Sequence, residues 1–342
     1  MYSPPVGQIA NLRPVDNRPS SGAGYDRIMR RLILFALLAL ATPLFADVTL
    51  RYTADYKLGF SLPQGAAGQI PAASLAALNR PTEIRIKGNK AYQTLGDFVA
   101  ITNLDTNEVT YLDPAGKRFG TAQADQVASI VAQAMPPVPA QAQSFADLLK
   151  ADVQSRKTGR TETIHGIAAE EHEIVVSLSI DIPNLPPGNP AMKLVMQMWR
   201  AAPAEADGNP ALKELARYSN LTASSLSPAE FLRNLTGPMQ AFSKSMGPLV
   251  DEMTKDKTLV VRTQLEATSP MMAMLAPQLQ QQGQALPAGI DPTAPLLSAN
   301  QEIAELSTDP VDEAVFKIPE GYRKVDIQEI LKDQIAAMAG KK

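Results

Sequence analysis

The sequence of 342 residues contains no cysteine and only two histidines. Without cysteine, the chain forms no disulfide and offers no thiolate for catalysis, zinc or iron–sulfur clusters. Aromatic residues make up 5% of the chain, and the formal net charge is −3. That charge provides no basic surface to neutralise phosphates, so we expect no nucleic-acid partner. The fold must therefore be stabilised by burying apolar side chains, and 45% of the residues are hydrophobic.

The sequence also lacks the nucleophile elbow, the zinc-protease helix, the phosphate-binding loop and the dinucleotide fingerprint. One grouping has metal-ligand character, a set of side chains on a predicted hairpin: Glu162, His165, Glu170, Glu171, His172 and Glu173. We interpret it as a solvated, charged hairpin whose acids discourage edge-to-edge aggregation. We therefore expect no metal, no cofactor and no catalysis. A hydrolase or metal enzyme is the alternative if His165 and His172 converge with carboxylates in a cleft.

Residues 29–46 have the layout of a secretory signal peptide. A basic start, Met29–Arg31, precedes the apolar run Leu32–Ala41. That run is shorter than the roughly 20 residues of a membrane-spanning helix. We expect translation to start at Met29, cleavage near Ala46, and residues 1–28 to be untranslated or disordered. An uncleaved anchor behind a disordered tail is the competing interpretation.

The remaining chain, 47–342, is interpreted as a single domain that begins with strands. Alternating apolar and polar residues predict strands at 48–56, 82–87, 90–94, 98–102, 108–112 and 117–119. Asp113–Gly116 has the residues of a type I turn. Helical periodicity predicts helices at 125–134, 144–153, 209–218 and 326–339, and further strands are expected at 160–165, 171–180, 192–199, 258–267, 300–307 and 315–318.

Four short phrases in this order resemble proteins of the lipoprotein-carrier type. They are Ile86–Lys90, Leu112–Pro114, Glu162–Gly166 and Phe316–Tyr322. The resemblance extends to the lipoprotein localisation factors, their stress-sensor relatives and an uncharacterised exported bacterial family of the same layout. It implies an α+β fold, in which a strongly curved antiparallel sheet forms an incomplete β-barrel with helices covering its concave side. In the carriers, that concavity holds acyl chains.

The predicted strand Met192–Trp199 is the most suggestive apolar feature. Leu194, Met196 and Met198 share one face, and Trp199 lies on the other. Thioether side chains adapt to irregular partners and suit a wall that contacts acyl chains. We therefore predict Leu194, Met196, Met198 and Trp199 as ligand-binding residues, with an ordinary packed core as the alternative.

These observations predict a soluble, exported periplasmic protein that binds a lipid or other apolar ligand in a half-barrel, without catalysis. No cysteine follows the apolar run, so no lipid is attached there and we expect no stable membrane anchor after cleavage. The alternative is an envelope protein-interaction or stress-sensor module of the same fold, which would bind another envelope protein.

Overall fold

The computed structural model describes residues 46–59, 75–76, 79–134, 149–180, 190–222, 247, 249, 251–252, 258–281, 291–292 and 294–338. All of them lie within one compact unit, residues 45–342. The segment 1–28 and the predicted signal peptide, up to residue 45, lie outside the described residues. Their assignment therefore stays a prediction.

The described residues form twelve strands and five helices with defined bounds. The strands are β1 (Val48–Leu58), β2 (Thr82–Lys87), β3 (Lys90–Leu95), β4 (Phe98–Asn103), β5 (Glu108–Asp113), β6 (Arg118–Gln123), β7 (Leu149–Ile164), β8 (Ile167–Ile180), β9 (Met192–Ala201), β10 (Val260–Thr268), β11 (Leu297–Ser307) and β12 (Arg323–Lys324). The helices are α1 (Ala124–Ala134), α2 (Pro203–Gly208), α3 (Pro210–Thr222), α4 (Pro270–Gln281) and α5 (Ile327–Met338), with a 3₁₀ helix at Glu313–Phe316. None of the helices in the described part is both long and apolar enough to span a bilayer.

The twelve described strands form one sheet in the order β12-β6-β5-β4-β3-β2-β1-β11-β10-β9-β8-β7. Neighbouring strands are antiparallel, except that β12 runs parallel to β6. In the described part, the end strands β12 and β7 do not pair with each other, so the curved sheet remains open. The predicted α+β fold with an incomplete barrel is confirmed.

Tight turns explain the short strands at the start of the chain. Gly88 and Gly96 have positive φ angles of 56° and 64°, which glycine adopts without a steric penalty. They lie in two-residue turns that join β2 to β3 and β3 to β4. The predicted antiparallel meander over β2–β6 follows directly from these turns.

Side chains that alternate along β1–β6 form two rows on one face of the sheet, which we call the inner face. The first row, in register, is Leu50, Ile84, Gln93, Ala100, Tyr111 and Gly120. The second row is Val48, Ile86, Ala91, Thr102, Val109 and Ala122. Helices α1, α3 and α5 pack on these two rows.

Helices α1 and α5 cover the inner face over β4–β6. Val127 of α1 belongs to one buried cluster with Ala100 and Val109. Leu331 of α5 is buried in a cluster that includes Tyr111. The main chain of α5 comes so near β6 that only glycine fits at position 120 (a Cβ there would lie 2.6 Å from the Cα of Ile327). This part of the inner face is filled by the chain's own helices.

Two local predictions are wrong. The predicted helix 144–153 is a strand from Leu149 onward, because Ala151 and Val153 alternate with polar residues and pair with β8. The predicted strand 315–318 is replaced by the 3₁₀ helix, whose N-cap Asp312 accepts a hydrogen bond from the Ala314 N–H at 2.9 Å. In both segments the local pattern of apolar residues fits a helix and a strand. Pairing with β8 selects the strand in the first segment, and the Asp312 cap selects the 3₁₀ helix in the second.

Candidate functional site

The inner face borders a cavity of about 680 Å³ where it is not covered by α1 and α5. Side chains of both rows, from β1 to β4, form its floor. Pockets for small molecules typically measure about 300–1,000 Å³, so the cavity is large enough for a ligand.

Helix α3 forms the wall opposite the sheet. Its contribution to the lining is Leu212, Leu215, Ala216, Tyr218 and Ser219. The remaining described lining comes from Ala201 and from residues 258–260 at the start of β10. The cavity therefore lies between helix α3, strands β1–β4 and the segment around the ends of β9 and β10.

Sequence-local interactions start helix α3 at the correct place. The Asn209 side chain accepts hydrogen bonds from the N–H groups of Ala211 at 2.9 Å and Leu212 at 3.4 Å. Pro210 follows at the first helical position, where its missing N–H is not needed. These signals fix the helix start, and Leu212 then lies in the same buried cluster as Leu50.

A tether holds the middle of α3 against the meander. The Arg217 guanidinium donates to Asn89 Oδ1 at 2.9 Å and to the carbonyl oxygen of Gly88. It also donates to Glu214 Oε1 at 2.9 Å, and the Glu214 side chain is buried. The cavity wall is thus fastened to the β2–β3 turn by charge-assisted hydrogen bonds.

The described lining of the cavity carries no ionisable acid, lysine, arginine or histidine. Its polar members are Tyr52, Gln93, Thr102, Tyr218, Ser219 and Thr258. Burial raises the pKa of Tyr52, and its hydroxyl donates to the Val260 carbonyl oxygen at 2.8 Å. Burial also raises the pKa of Tyr218, and a hydrogen bond with Thr102 only partly opposes that rise. Both phenols are neutral at physiological pH, so the described surface suits an uncharged, mainly apolar ligand.

Three of the predicted ligand-binding residues lie on the inner face but away from this lining. Leu194, Met196 and Met198 belong to a buried cluster together with Ile174 and Leu249. Strand register places them on the inner face, since Met196 pairs with Leu265, which pairs with Ala299, opposite Tyr56 of β1. Their ligand-binding role stays a prediction.

Arg200 lies at the boundary between the cavity and this methionine-containing cluster. It is only 3% exposed and pairs in register with the lining residue Val260. Its guanidinium donates to the carbonyl oxygen of Thr258 at 3.4 Å and contacts Met198 Sδ at 3.9 Å. A cationic side chain therefore contacts both the cavity-lining segment and the methionine-containing cluster.

Trp199, the fourth predicted residue, lies on the opposite face of β9. Arg160 and Arg262 each place a guanidinium carbon 5.9 Å from the centroid of its ring. Its Nε1–H is buried and has no hydrogen-bond partner among the described residues. Trp199 nevertheless shares a buried cluster with Leu50 and Leu212, which line the cavity. It therefore contacts cavity-lining side chains without lining the cavity itself, and its ligand-binding role stays a prediction.

Side chains of the histidine-containing hairpin, β7–β8, take part in several ion pairs. His165 and Gly166 have positive φ angles of 48° and 78° and form the turn between β7 and β8. His165 Nε2 lies 3.3 Å from Glu302 Oε1, and Arg262 lowers the pKa of Glu302 through a hydrogen bond of 2.7 Å. Glu171, with a fully buried carboxylate, is bound by Arg160.

In the described part, no group of three or more histidine and acidic side chains is arranged to hold a metal ion. His165 lies at the hairpin turn, whereas His172 lies within β8 and pairs in register with Met198. Glu162 is bound by Arg262 at 2.8 Å and Glu173 by Arg156 at 2.7 Å. Arginines of β7 and β10 thus bind carboxylates that the sequence groups with the histidines.

Sequence reasoning missed the cavity-lining residues themselves. The alternation of apolar and polar residues in β2–β4 indicates which side chains share a face of the sheet. It does not indicate that a cavity lies between that face and α3. The available signal was the Asn209–Pro210 helix start followed by an apolar stripe that includes Leu212 and Leu215. That stripe predicted a packed helix equally well.

The structure therefore defines a class: an open, curved antiparallel sheet with an uncharged, mainly apolar cavity under one helix. No protein-family model and no curated protein matches the chain. Among solved structures, lipoprotein LppX from Mycobacterium tuberculosis is similar at 10% sequence identity with a TM-score of 0.24, covering 84% of this chain and 98% of that chain. At that level of similarity, the comparison assigns neither a ligand nor a function to this protein.

Proposed function

We propose that this protein is a soluble, exported binding protein that holds a lipid or other apolar ligand between β1–β4 and helix α3. The proposal includes no catalytic step. It rests on the cavity of about 680 Å³ and on the uncharged character of its described lining. Burial of apolar ligand surface contributes about 25 cal/mol per Å², so such a cavity favours apolar ligands.

The predicted export signal at 29–46 supports an extracytoplasmic location for this binding. The resemblance of the four short phrases to lipoprotein carriers supports the same class of ligand. Within the proposal, Leu194, Met196 and Met198 extend the apolar inner face beyond Arg200, and a long ligand would reach them only if that side chain moves. Trp199 responds to occupancy through its shared cluster with Leu50.

The surface favours ligand binding over the alternative of a protein-interaction module. Among the described residues, Ile318 is the one exposed large hydrophobic residue, with 39% of its surface accessible to solvent. Large contiguous apolar patches on a protein surface mark interaction sites. The described surface gives the alternative no such patch, whereas apolar side chains of β1–β4 and α3 line the cavity.

The proposal is tested with the full chain, exported by a bacterial host and purified without detergent. Native mass spectrometry and solvent extraction then identify any bound lipid. We expect the wild type to carry an apolar ligand and Ala216→Leu to lose most of it, because Ala216 lines the cavity and the larger side chain occupies its space.

The matched control is Ala304→Leu, which makes the same change at an exposed position of β11. It should retain the ligand at the wild-type level. The proposal is wrong if the wild type carries no extractable ligand and binds no added apolar probe, or if both leucine variants behave alike.

A further inference from the structure

Gln93 is the cavity-lining side chain whose polar group lacks a partner within the described structure. It lies on β3, between Ile84 of β2 and Ala100 of β4 in the first inner-face row. Neither neighbour has a polar side chain, so cross-strand pairing cannot satisfy the carboxamide. An amide offers two donor hydrogens and one acceptor oxygen. This group therefore faces the cavity with its hydrogen-bonding capacity available.

The other polar lining groups are already engaged. Tyr52 donates to the Val260 carbonyl oxygen at 2.8 Å. Thr102 and Tyr218 bond to each other, and Ser219 and Thr258 have interactions of their own. Among the polar side chains of the described lining, Gln93 is thus the one whose hydrogen-bonding groups are available to a ligand.

The surroundings of Gln93 discriminate among the head groups of an apolar chain. Gln93 is partly buried in this structure. A pure hydrocarbon in the cavity would displace water from the carboxamide and bury it without a partner, which is unfavourable. An ionised carboxylate would be buried among uncharged lining side chains, at a greater desolvation cost. An uncharged oxygen, as in an ester or an alcohol, accepts a hydrogen bond from Gln93 and avoids both costs.

We infer that Gln93 is the specificity-determining residue of the cavity and selects chains that carry an uncharged ester or hydroxyl oxygen. The inference rests on the proposed function, since it assumes that the cavity binds a ligand. It goes further by naming the head-group chemistry and the side chain that recognises it.

The test compares four probes of equal chain length: dodecane, 1-dodecanol, methyl dodecanoate and dodecanoate at neutral pH. Each displaces the fluorescent probe N-phenyl-1-naphthylamine from the full chain, which gives relative affinities. We expect the wild type to bind the alcohol or the ester about five- to tenfold more tightly than dodecane, the range expected for one satisfied buried hydrogen bond. The alcohol can donate and accept whereas the ester only accepts, so their ranking shows which oxygen chemistry Gln93 prefers.

Gln93→Leu should abolish this preference while dodecane binds at least as tightly as before. Gln93→Met is the second variant, with a flexible side chain in case leucine disturbs the fold. Gln264→Leu is the matched control on the opposite, exposed face and should keep the wild-type preference. If the preference persists in both Gln93 variants, or if dodecanoate binds best, the inference is overturned and the proposed function stands. If no probe binds the wild type, both fail.

Discussion

Different helices cover the two ends of the inner-face rows, and they pack on the sheet differently. Over β4–β6 the rows meet α1 and α5, and at Gly120 the α5 main chain approaches so closely that a Cβ would lie 2.6 Å from Ile327 Cα. Over β1–β4 the same rows meet α3, which packs on them through Ala211 and Leu212 and also borders a cavity of about 680 Å³. We call these regions the filled end and the hollow centre.

The difference shows that one continuous sheet face can serve both stability and binding. Filled and hollow regions use the same alternation and similar side chains, so residue type alone does not separate them. At the filled end a glycine permits close contact between main chains. At the hollow centre Tyr218 bonds to Thr102, and the α3 side chains Leu215 and Tyr218 are only partly buried where they pack on the sheet.

The largest effect is expected from truncating a side chain at the filled end. Leu331→Ala should lower the free energy of unfolding by about 2–5 kcal/mol, because it opens a cavity in a packed cluster. Leu215→Ala at the hollow centre should cost only about 1 kcal/mol, since this half-buried side chain already borders empty space. Urea unfolding of the full chain measures both, and equal losses would contradict the comparison.

The next effect comes from adding atoms. Gly120→Ala should destabilise the protein by about 1–3 kcal/mol, because α5 must move away from β6. Ala216→Leu adds more atoms but has the cavity to receive them, so we expect a change below about 1 kcal/mol. Thermal unfolding in the absence of ligand checks the pair, and a larger loss for Ala216→Leu would show that the centre is not hollow.

A smaller effect is expected from releasing the wall of the hollow centre. Arg217→Met removes the bonds to Gly88 and Asn89 and leaves buried Glu214 without its cation. We expect a loss of about 1–2 kcal/mol, at the low end for charge-assisted bonds because Arg217 is 24% exposed. Amide exchange should become faster in α3 and remain unchanged in α5. If amide exchange became equally faster in α3 and α5, the bonds of Arg217 would stabilise the whole fold and not α3 in particular.

The smallest effect is a pH dependence at the filled end. Arg118 of β6 binds Asp113 at the end of β5, at 2.9 Å, and also binds Glu329 and Asp333 of α5. Burial acts to raise the pKa of Asp113, but hydrogen bonds from Gly116 N–H and from Arg118 outweigh it and lower the pKa below its usual value. Because the pKa is lower in the folded state, this stabilisation is present above about pH 4 and is lost as the pH falls through the folded-state pKa.

Asp113→Asn should remove that part of the acid sensitivity. Stability measured between neutral and acidic pH should fall less steeply in the variant than in the wild type. Asp55→Asn is the control, because Asp55 lies on an exposed part of β1 and pairs only with exposed Lys57 among the described ion pairs. Parallel curves for Asp113→Asn and the wild type would rule out a role for Arg118–Asp113 in holding α5.

Much of the meander could be predicted from sequence because its determinants are local. Turn residues such as Gly88 and alternation along Thr82–Lys87 fix the strands whatever surrounds them. The segment from Leu149 was mispredicted because its apolar residues fit both periods, and only the partner strand β8 selects the extended form.

The candidate site was harder to predict because it depends on distances that no local pattern encodes. Alternation placed Trp199 opposite Met198, but its arginine neighbours come from β7 and β10. The cavity likewise joins β1–β4 to residues near 258–260. Gln93 looked like an ordinary polar strand residue, and its significance comes from the absence of described partners at its place in the fold.

Xenon binding in crystals of the full chain tests the contrast between hollow centre and filled end most directly. Xenon enters apolar cavities that are large enough and leaves packed regions empty. We predict xenon density between α3 and the inner-face side chains Leu50, Ile84 and Ala100, and none between α5 and β6. An empty centre under xenon pressure, or equal density beneath both helices, would contradict the account.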